Sequence, residues 1–112
     1  MSSLNYSIKR GSAELAVLAV LENEALHGYE IARRIDQETG SVLHFTLASL
    51  YPLLYRMEKL GWTKGAWETT PNGVKRRTYR LTAAGVKQLE RVRREWGVFF
   101  GALNRLGGLS RA

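Results

Sequence analysis

Residues 62 to 81 carry the pattern that most restricts the fold of this chain. Two stretches of strand character, WTKGAWE at 62–68 and KRRTYRL at 75–81, flank the segment TTPNGV. Pro-Asn-Gly is turn chemistry that joins neighbouring strands, so the region is predicted to form a β-hairpin. The other periodic segments have helical spacing, so the fold must combine one small hairpin with several helices.

Two helices are predicted before residue 40. The first spans about 13–23 with Ser12 as its N-cap, and because it is apolar on nearly all sides it belongs in a core. The second spans about 28–39 and ends where Gly40 is expected in a left-handed conformation. The inward side chains of the second helix are expected to be Tyr29, Ile31 and Ile35.

A third helix begins near Thr46 or Ser49, ends at Leu60 before Gly61, and has two different faces. At 100° per residue, an apolar face is predicted to be core and comprises Leu50, Leu53, Leu54, Met57 and Leu60. The opposite face carries Ala48, Pro52, Tyr55 and Lys59, flanked by Ser49, Tyr51 and Arg56. With either start, Pro52 falls in the early turns and on the outer face, where its missing N–H is tolerated.

A long fourth helix is predicted from a Thr82 cap to about Leu106. Its apolar residues recur at three- and four-residue steps along its full length. A small domain covers only part of so long a helix, so a second copy of the chain is predicted to cover the rest. The predicted dimer interface consists of Leu89, Val92, Trp96, Phe99, Phe100, Leu103 and Leu106.

The order helix, helix, helix, hairpin, long helix indicates an α+β fold that is mainly α with a small β-hairpin. Two helices joined by a short link and followed by a basic hairpin predict a winged helix-turn-helix. This winged domain is expected over residues 1–81, and the dimerisation helix with its tail over residues 82–112.

Positive charge is concentrated on the third helix and the hairpin. The chain has a formal charge of +7, and between residues 56 and 80 seven Lys and Arg against Glu58 and Glu68 leave +5. In a winged helix these two elements meet DNA. The predicted DNA contacts are Tyr29, Thr46, Ala48, Ser49, Tyr51, Pro52, Tyr55, Arg56, Lys59, Lys64, Lys75, Arg76 and Arg77. Two alternatives stay open: a merely solvated charge run, and an adaptor whose basic surface meets an acidic protein partner.

Catalysis and metal binding find little support in the sequence. Asp36 is the only aspartate and cysteine is absent, while His27 and His44 are the only histidines, too few ligands for a metal site even with Glu30 or Asp36. No phosphate loop or nucleophile elbow occurs, so no enzyme, cofactor or metal is predicted. The apolar run at 16–21 falls far short of the ~20 residues that cross a membrane. A cytoplasmic protein without membrane association is expected.

Three segments in order resemble the PadR family of bacterial transcriptional regulators: HGYEIARRI at 27–35, SLYPLLYRMEKLGW at 49–62 and NGVKRRTYRLTAAG at 72–85. The resemblance implies a winged helix-turn-helix dimer that represses its target promoters and is released by a small molecule. Because two copies of the third helix would enter successive major grooves, the operator is expected to be pseudo-palindromic. Ala48 and Thr78 depart from the family pattern, since many members have glycine and an aromatic residue there.

The single helix after the hairpin is similar to that of a smaller PadR subfamily. Some of its members bind flat aromatic or drug-like molecules between tryptophans at the dimer centre, and Trp96 stands at the matching place. Trp67 matches a second aromatic residue found near that pore in some members. Phe99 and Val92, on the same helix as Trp96, complete the predicted ligand contacts, although aromatics at helical spacing are also explained by plain packing.

Overall fold

The computed structural model describes the backbone of residues 2–108 and the side chains of residues 11–108. Its elements are α1 (Ser2–Val20), β1 (Leu26–His27), α2 (Gly28–Glu38), α3 (Leu47–Lys59), β2 (Thr63–Thr69), β3 (Lys75–Leu81) and α4 (Ala83–Gly107). This order confirms the predicted winged helix-turn-helix with a long C-terminal helix. Within residues 2–108, no helix is long and apolar enough to cross a bilayer.

α1 starts earlier and ends sooner than predicted. The predicted cap Ser12 lies inside the helix, which begins at Ser2 and ends at Val20. Gly11 and Ser12 imitate a helix boundary, but glycine serves another purpose here. A Cβ atom added at Gly11 would lie 3.2 Å from Cζ2 of Trp96, so the glycine lets α4 approach α1 closely. This packing offsets the roughly 1 kcal/mol that an internal glycine costs a helix relative to alanine.

α2 and the link to α3 follow the prediction with one exception. Ile31 and Ile35 are buried, and Gly40 has the expected positive φ of 59°. Tyr29, expected inward, is 60% exposed, so that expectation was wrong. The reason is that its neighbour Gly28 packs against α3 and leaves the Tyr29 ring outside the core.

The start of α3, left open by the sequence, is settled by its cap. Thr46 Oγ1 accepts a hydrogen bond from the Ser49 N–H at 3.2 Å, and the helix begins at Leu47. Pro52 therefore leaves the Ala48 carbonyl, on the outer face, without its usual partner. Leu50, Leu54 and Met57 are buried and Leu53 is partly buried, but Leu60 is 49% exposed, contrary to the prediction. Leu60 is the C-cap of the helix, directly before Gly61 turns the chain with a φ of 81°, so its side chain lies at the edge of the core.

The hairpin of β2 and β3, hereafter the wing, forms as predicted. Its strands pair antiparallel from Thr63 opposite Leu81 to Thr69 opposite Lys75. A third strand, β1, was not predicted because two residues carry no periodic signal. β1 pairs Leu26 with Tyr79, which makes β3 the central strand and buries the Tyr79 ring.

The core lies where the helices meet the inner face of the sheet. Thr82 caps α4 by accepting a hydrogen bond from the Gly85 N–H at 3.0 Å, as predicted. The next turns of α4 pack against α1, and Arg93 donates two hydrogen bonds to Glu22, at 2.8 and 3.0 Å. The buried cluster comprises Val17, Leu18, Leu21, Leu26, Ile31, Ile35, Leu50, Leu54, Met57, Tyr79 and Leu89, with Trp62 partly buried against it.

Candidate nucleic-acid interface

The outer face of α3 and the wing border a common space. A cavity of about 490 Å³ between them is lined by Tyr55, Glu58 and Lys59 from α3 and by Trp67, Arg77 and Tyr79 from the wing. The fold thus brings the polar face of α3 next to the basic strands, as the sequence predicted. A surface of this kind can contact a polyanion from two elements at once.

Exposed tyrosines distinguish this surface. Tyr55 is 65% exposed, and the Lys59 ammonium lies 5.4 Å from the centroid of its ring. The Tyr51 ring packs against α2 at Gly28, where an added Cβ atom would lie 2.9 Å from the Tyr51 hydroxyl oxygen. Phenol hydroxyls and ammonium groups donate hydrogen bonds to phosphate oxygens, so both tyrosines and Lys59 have suitable chemistry.

The first turns of α3 expose Thr46, Ala48, Ser49 and Pro52, in agreement with their predicted place on the outer face. The Ser49 hydroxyl donates to the Thr46 carbonyl at 3.0 Å, which holds the polar side chains at the helix start. On their far side from the wing, Ser49 and Pro52 border a second cavity of about 740 Å³. α3 therefore exposes one flank toward the wing and another toward α1 and the α2–α3 link.

Three of the predicted DNA-contacting arginines carry an acidic partner. Arg56 pairs with Glu14 of α1, Arg77 pairs with Glu58 of α3, and Arg76 pairs with Glu68 at 2.7 Å. The hydrogen bond from Arg76 lowers the pKa of the Glu68 carboxyl, so that pair is charged at neutral pH. The charge sum along the sequence counted Glu58 and Glu68 but did not pair them with particular arginines, and it did not include Glu14. Among the described residues of α3 and the wing, the basic side chains without an ion pair are Lys59, Lys64, Lys75 and Arg80.

The predicted effector residues separate into two clusters within one chain. Trp96 is partly buried and makes ring contacts with Phe99 at 5.9 Å and with Phe100 at 5.4 Å between centroids. Trp67 is 66% exposed and packs on Arg77 in the wing instead. Val92 is buried in the chain's own core, which leaves Trp96 and Phe99 as the accessible pair.

The predicted dimer contacts divide in the same way. Leu89 and Val92 are already buried within their own chain. Leu89 lies in the core cluster with Val17 and Leu18 of α1, which packs on α4. Trp96 is partly buried, and the other four predicted contacts stay exposed on α4: Phe99, Phe100, Leu103 and Leu106.

The histidines do not build a metal site. His44 Nδ1 lies 2.6 Å from Asp36 Oδ2, and His27 occupies the N-cap position of α2 without a side-chain capping bond. Hydrogen bonds from His44 and Ser41 lower the pKa of the Asp36 carboxyl, which anchors the α2–α3 link. Within the part that the structure describes, no group of three His, Asp or Glu side chains converges on one point.

Comparison with known proteins identifies the family. The model of the transcriptional regulator PadR-like family matches residues 17–91. The chain belongs to this family. A transcriptional regulator from Clostridium thermocellum has a TM-score of 0.80 and 26% identity, over 90% of this chain and 98% of that one. A PadR-like regulator from Bacillus cereus has a TM-score of 0.77 and 29% identity, over 89% of this chain and 95% of that one.

A further PadR-like fold comes from Bacillus subtilis PadR, solved in complex with operator DNA. Its TM-score is 0.64 at 23% identity, over 70% of this chain and 44% of that chain. The match to the PadR-like family ends at residue 91, so it includes α2, α3 and the wing but stops before Trp96. The family is thus assigned through the helix-turn-helix and wing, independently of the exposed end of α4.

In this PadR-like chain, sequence reasoning missed the acidic partners of the basic surface. Glu14 lies 42 positions before Arg56, and Glu58 lies 19 positions before Arg77. No local spacing connects such residues, because only the tertiary fold brings them together. The one available signal was the Glu58 side chain itself, an acid at the end of an otherwise basic helix.

Proposed function

We propose that this PadR-like regulator binds duplex DNA as a homodimer and represses transcription from a pseudo-palindromic operator. The observation that carries the proposal is the shared surface of α3 and the wing, with exposed tyrosines and unpaired lysines on adjoining elements. Two copies of α3, the recognition helix, would enter successive major grooves. The operator complex of Bacillus subtilis PadR gives a precedent for this use of the fold.

The contacts divide by chemistry. Ala48, Pro52 and Tyr55 offer apolar and hydroxyl groups to base edges, and Ser49 and Thr46 add hydroxyls at the start of the recognition helix. Lys59, Lys64 and Lys75 supply phosphate contacts that are independent of sequence. Arg76, whose partner Glu68 is exposed, can exchange that carboxylate for a phosphate because a surface ion pair contributes only ~0–1 kcal/mol. Tyr29 at the start of α2 and Tyr51 beside it complete the phosphate-facing side.

The exposed end of α4 supports the homodimer. Phe99, Phe100, Leu103 and Leu106 form an apolar stripe that the described part of the chain leaves exposed. Contiguous exposed apolar area of this kind marks an interaction surface. A second copy, packing its own α4 on this stripe, would hold two recognition helices at a fixed spacing.

A small planar aromatic effector is the proposed signal. Trp96 stands at the junction of the covered and uncovered parts of α4, with Phe99 edge-on to its ring at 84°. A flat ligand stacking on Trp96 at the dimer centre would change the spacing of the two recognition helices, which couples the two sites. To test this, Trp62 and Trp67 are replaced by phenylalanine so that only Trp96 emits. Quenching by planar dyes is expected, and emission that stays constant at saturating dye would exclude the site.

A salt titration on duplex DNA tests the main proposal against an adaptor with a basic surface. A DNA-binding dimer should lose affinity steeply as salt rises, with a log–log slope of about 0.9 per phosphate contacted. Fragments selected from genomic DNA would supply the specific duplex, and scrambled duplex is the control. If neither duplex is bound at low salt, DNA binding is excluded and the adaptor is favoured.

A further inference from the structure

We propose that Glu58 and Arg77 form a lock that fixes the wing relative to the recognition helix, so that Arg77 acts as a positioning residue and not as a phosphate contact. The inference rests on the proposed DNA binding and assigns a role in it to two residues. It also revises the sequence prediction, which placed Arg77 among the groups that touch DNA.

One carboxylate oxygen joins three elements. Glu58 Oε2, in the last turns of α3, accepts a hydrogen bond from Arg77 Nη2 on β3 and another from the Gly65 N–H on β2 at 3.3 Å. A hydrogen bond to a charged group is roughly twice as strong as one between neutral groups. The end of α3 is therefore tied to both strands of the wing through a single side chain.

The Arg77 guanidinium packs against the wing itself. It lies 5.6 Å from the ring centroid of Trp67 and 5.9 Å from that of Tyr79. On β2, a Cβ atom added at Gly65 would come within 2.5 Å of Arg77 Nε, so the guanidinium packs directly on the glycine and would have to move for a larger residue. Two aromatic faces, a glycine and a carboxylate thus hold the group, and reaching a phosphate would require leaving all four.

The neighbouring arginine gives the contrast within the same strand. Arg76 pairs with Glu68, which lies directly opposite it in the hairpin register, so this pair joins β2 to β3 and nothing else. The side chains of Arg76 and Glu68 are 44% and 46% exposed, whereas those of Arg77 and Glu58 are 29% and 27% exposed. Breaking the Arg76 pair frees a cation for DNA, whereas breaking the Arg77 pair releases the wing from the recognition helix.

The two glutamates make a matched experiment, because Glu58→Gln and Glu68→Gln each remove one negative charge and so raise the net charge of the protein by one. Added charge alone should strengthen DNA binding in both. We expect Glu68→Gln to bind its selected duplex about twofold more tightly. Glu58→Gln should instead bind it roughly tenfold more weakly, because the released wing has to be ordered on the duplex before its lysines make the same contacts. Equal gains in the two variants would overturn the lock and restore Arg77 as a restrained phosphate contact.

The salt slope separates positioning from contact. Lys75→Ala should lower the slope by about 1, as expected for a lost phosphate contact. Arg77→Lys, which keeps the charge but loses the planar fork, should bind roughly tenfold more weakly with an unchanged slope. If Arg77→Gln lowered the salt slope by as much as Lys75→Ala does, the proposal would be contradicted. Thermal unfolding of each variant checks that the fold persists.

A measurement without DNA keeps the lock testable if DNA binding itself fails. In the free protein, the Arg77 Nε–H resonance should be displaced by the ring currents of Trp67 and Tyr79. Glu58→Gln should move it toward the position of a free arginine, while Glu68→Gln should leave it in place. If the Arg77 resonance is the same in wild type and Glu58→Gln, the lock is absent, whatever the protein binds.

Discussion

The two halves of α4 have the same apolar spacing and opposite surroundings. From Ala83 to Val92 the helix buries Gly85, Leu89 and Val92 within its own chain. After Trp96 the same three- and four-residue steps continue, but the apolar side chains are exposed, and Leu106 is 89% exposed. The difference teaches that spacing predicts which face of a helix is apolar, while what covers that face depends on the neighbouring elements.

The packing of α1 distinguishes the two halves of α4. This helix packs on the first half of α4, where Leu89 joins Val17 and Leu18 in the core, and Gly11 of α1 faces Trp96 at the boundary. After Trp96, the apolar side chains Phe99, Phe100, Leu103 and Leu106 are between 36% and 89% exposed. The first half is therefore assigned to stability of the single chain, and the second half to the proposed homodimer and effector site.

The largest expected effect separates the two halves by leucine truncation. Leu89→Ala should lower the free energy of unfolding by about 2–5 kcal/mol, because it opens a cavity in a filled core. Leu106→Ala should change it by less than about 0.5 kcal/mol in the monomer, since the side chain is in solvent. Urea unfolding at several protein concentrations measures both. If the unfolding free energy that Leu106→Ala loses grows with protein concentration, Leu106 is assigned to the dimer interface. If Leu89→Ala and Leu106→Ala lose the same free energy at every concentration, the two halves do not differ.

Glycine substitution repeats the comparison on the backbone. A Cβ atom at Gly85 would lie 2.0 Å from the Trp62 carbonyl oxygen, whereas one at Gly97 would have no atom within 4 Å. Gly85→Ala should therefore destabilise by about 1–3 kcal/mol through overpacking. Gly97→Ala should stabilise the single chain by up to ~1 kcal/mol, the helix propensity difference. Chemical unfolding of the dilute protein measures both, and a destabilised Gly97→Ala would reveal a close contact at that position.

The general architecture was predictable because local signals agreed with one another. The Pro-Asn-Gly turn, the Thr82 cap and the burial of Ile31, Ile35 and Leu50 each follow from residue type and period alone. Such signals act within a few residues, which is why a single sequence contains them. The outer face of α3 was predictable for the same reason, since its polar residues share a helical phase.

What escaped prediction depends on contacts distant in sequence. The ion pairs of Arg56 and Arg77 and the strand β1 all arise from tertiary packing. Gly11 shows the difficulty well, because a glycine that normally ends a helix here admits the Trp96 ring. Periodicity also could not tell a face covered by the same chain from one left for a partner, as Leu89 and Leu106 illustrate.

The exposed half of α4 is tested further by weakening the proposed dimer. Phe99→Ala should raise the dimer dissociation constant roughly thirtyfold, corresponding to ~2 kcal/mol for an aromatic contact at an interface. Val86→Ala is the matched control, because Val86 is an exposed apolar residue on the covered half of the same helix. Sedimentation velocity over a dilution series measures both constants. If wild type is monomeric throughout, or if both variants dissociate alike, the assignment of the second half to a partner is wrong.

The smallest effect concerns the ion pair at the boundary between the halves. The hydrogen bond from Arg93 holds the pKa of the Glu22 carboxyl below its ordinary value. Because the folded pKa is the lower one, the stabilisation is present above the unfolded value of about 4.3 and is lost as pH falls through the folded value. Both side chains are well exposed, so the contribution at neutral pH should be small. Glu22→Gln should therefore unfold slightly more easily than wild type at neutral pH and match it in acid.

Glu90→Gln is the control, since the exposed Glu90 has no ion pair among the described residues. Urea unfolding at a series of pH values measures the difference, and a Glu22→Gln curve parallel to wild type at every pH would show that the pair does not secure α4 to the segment after α1.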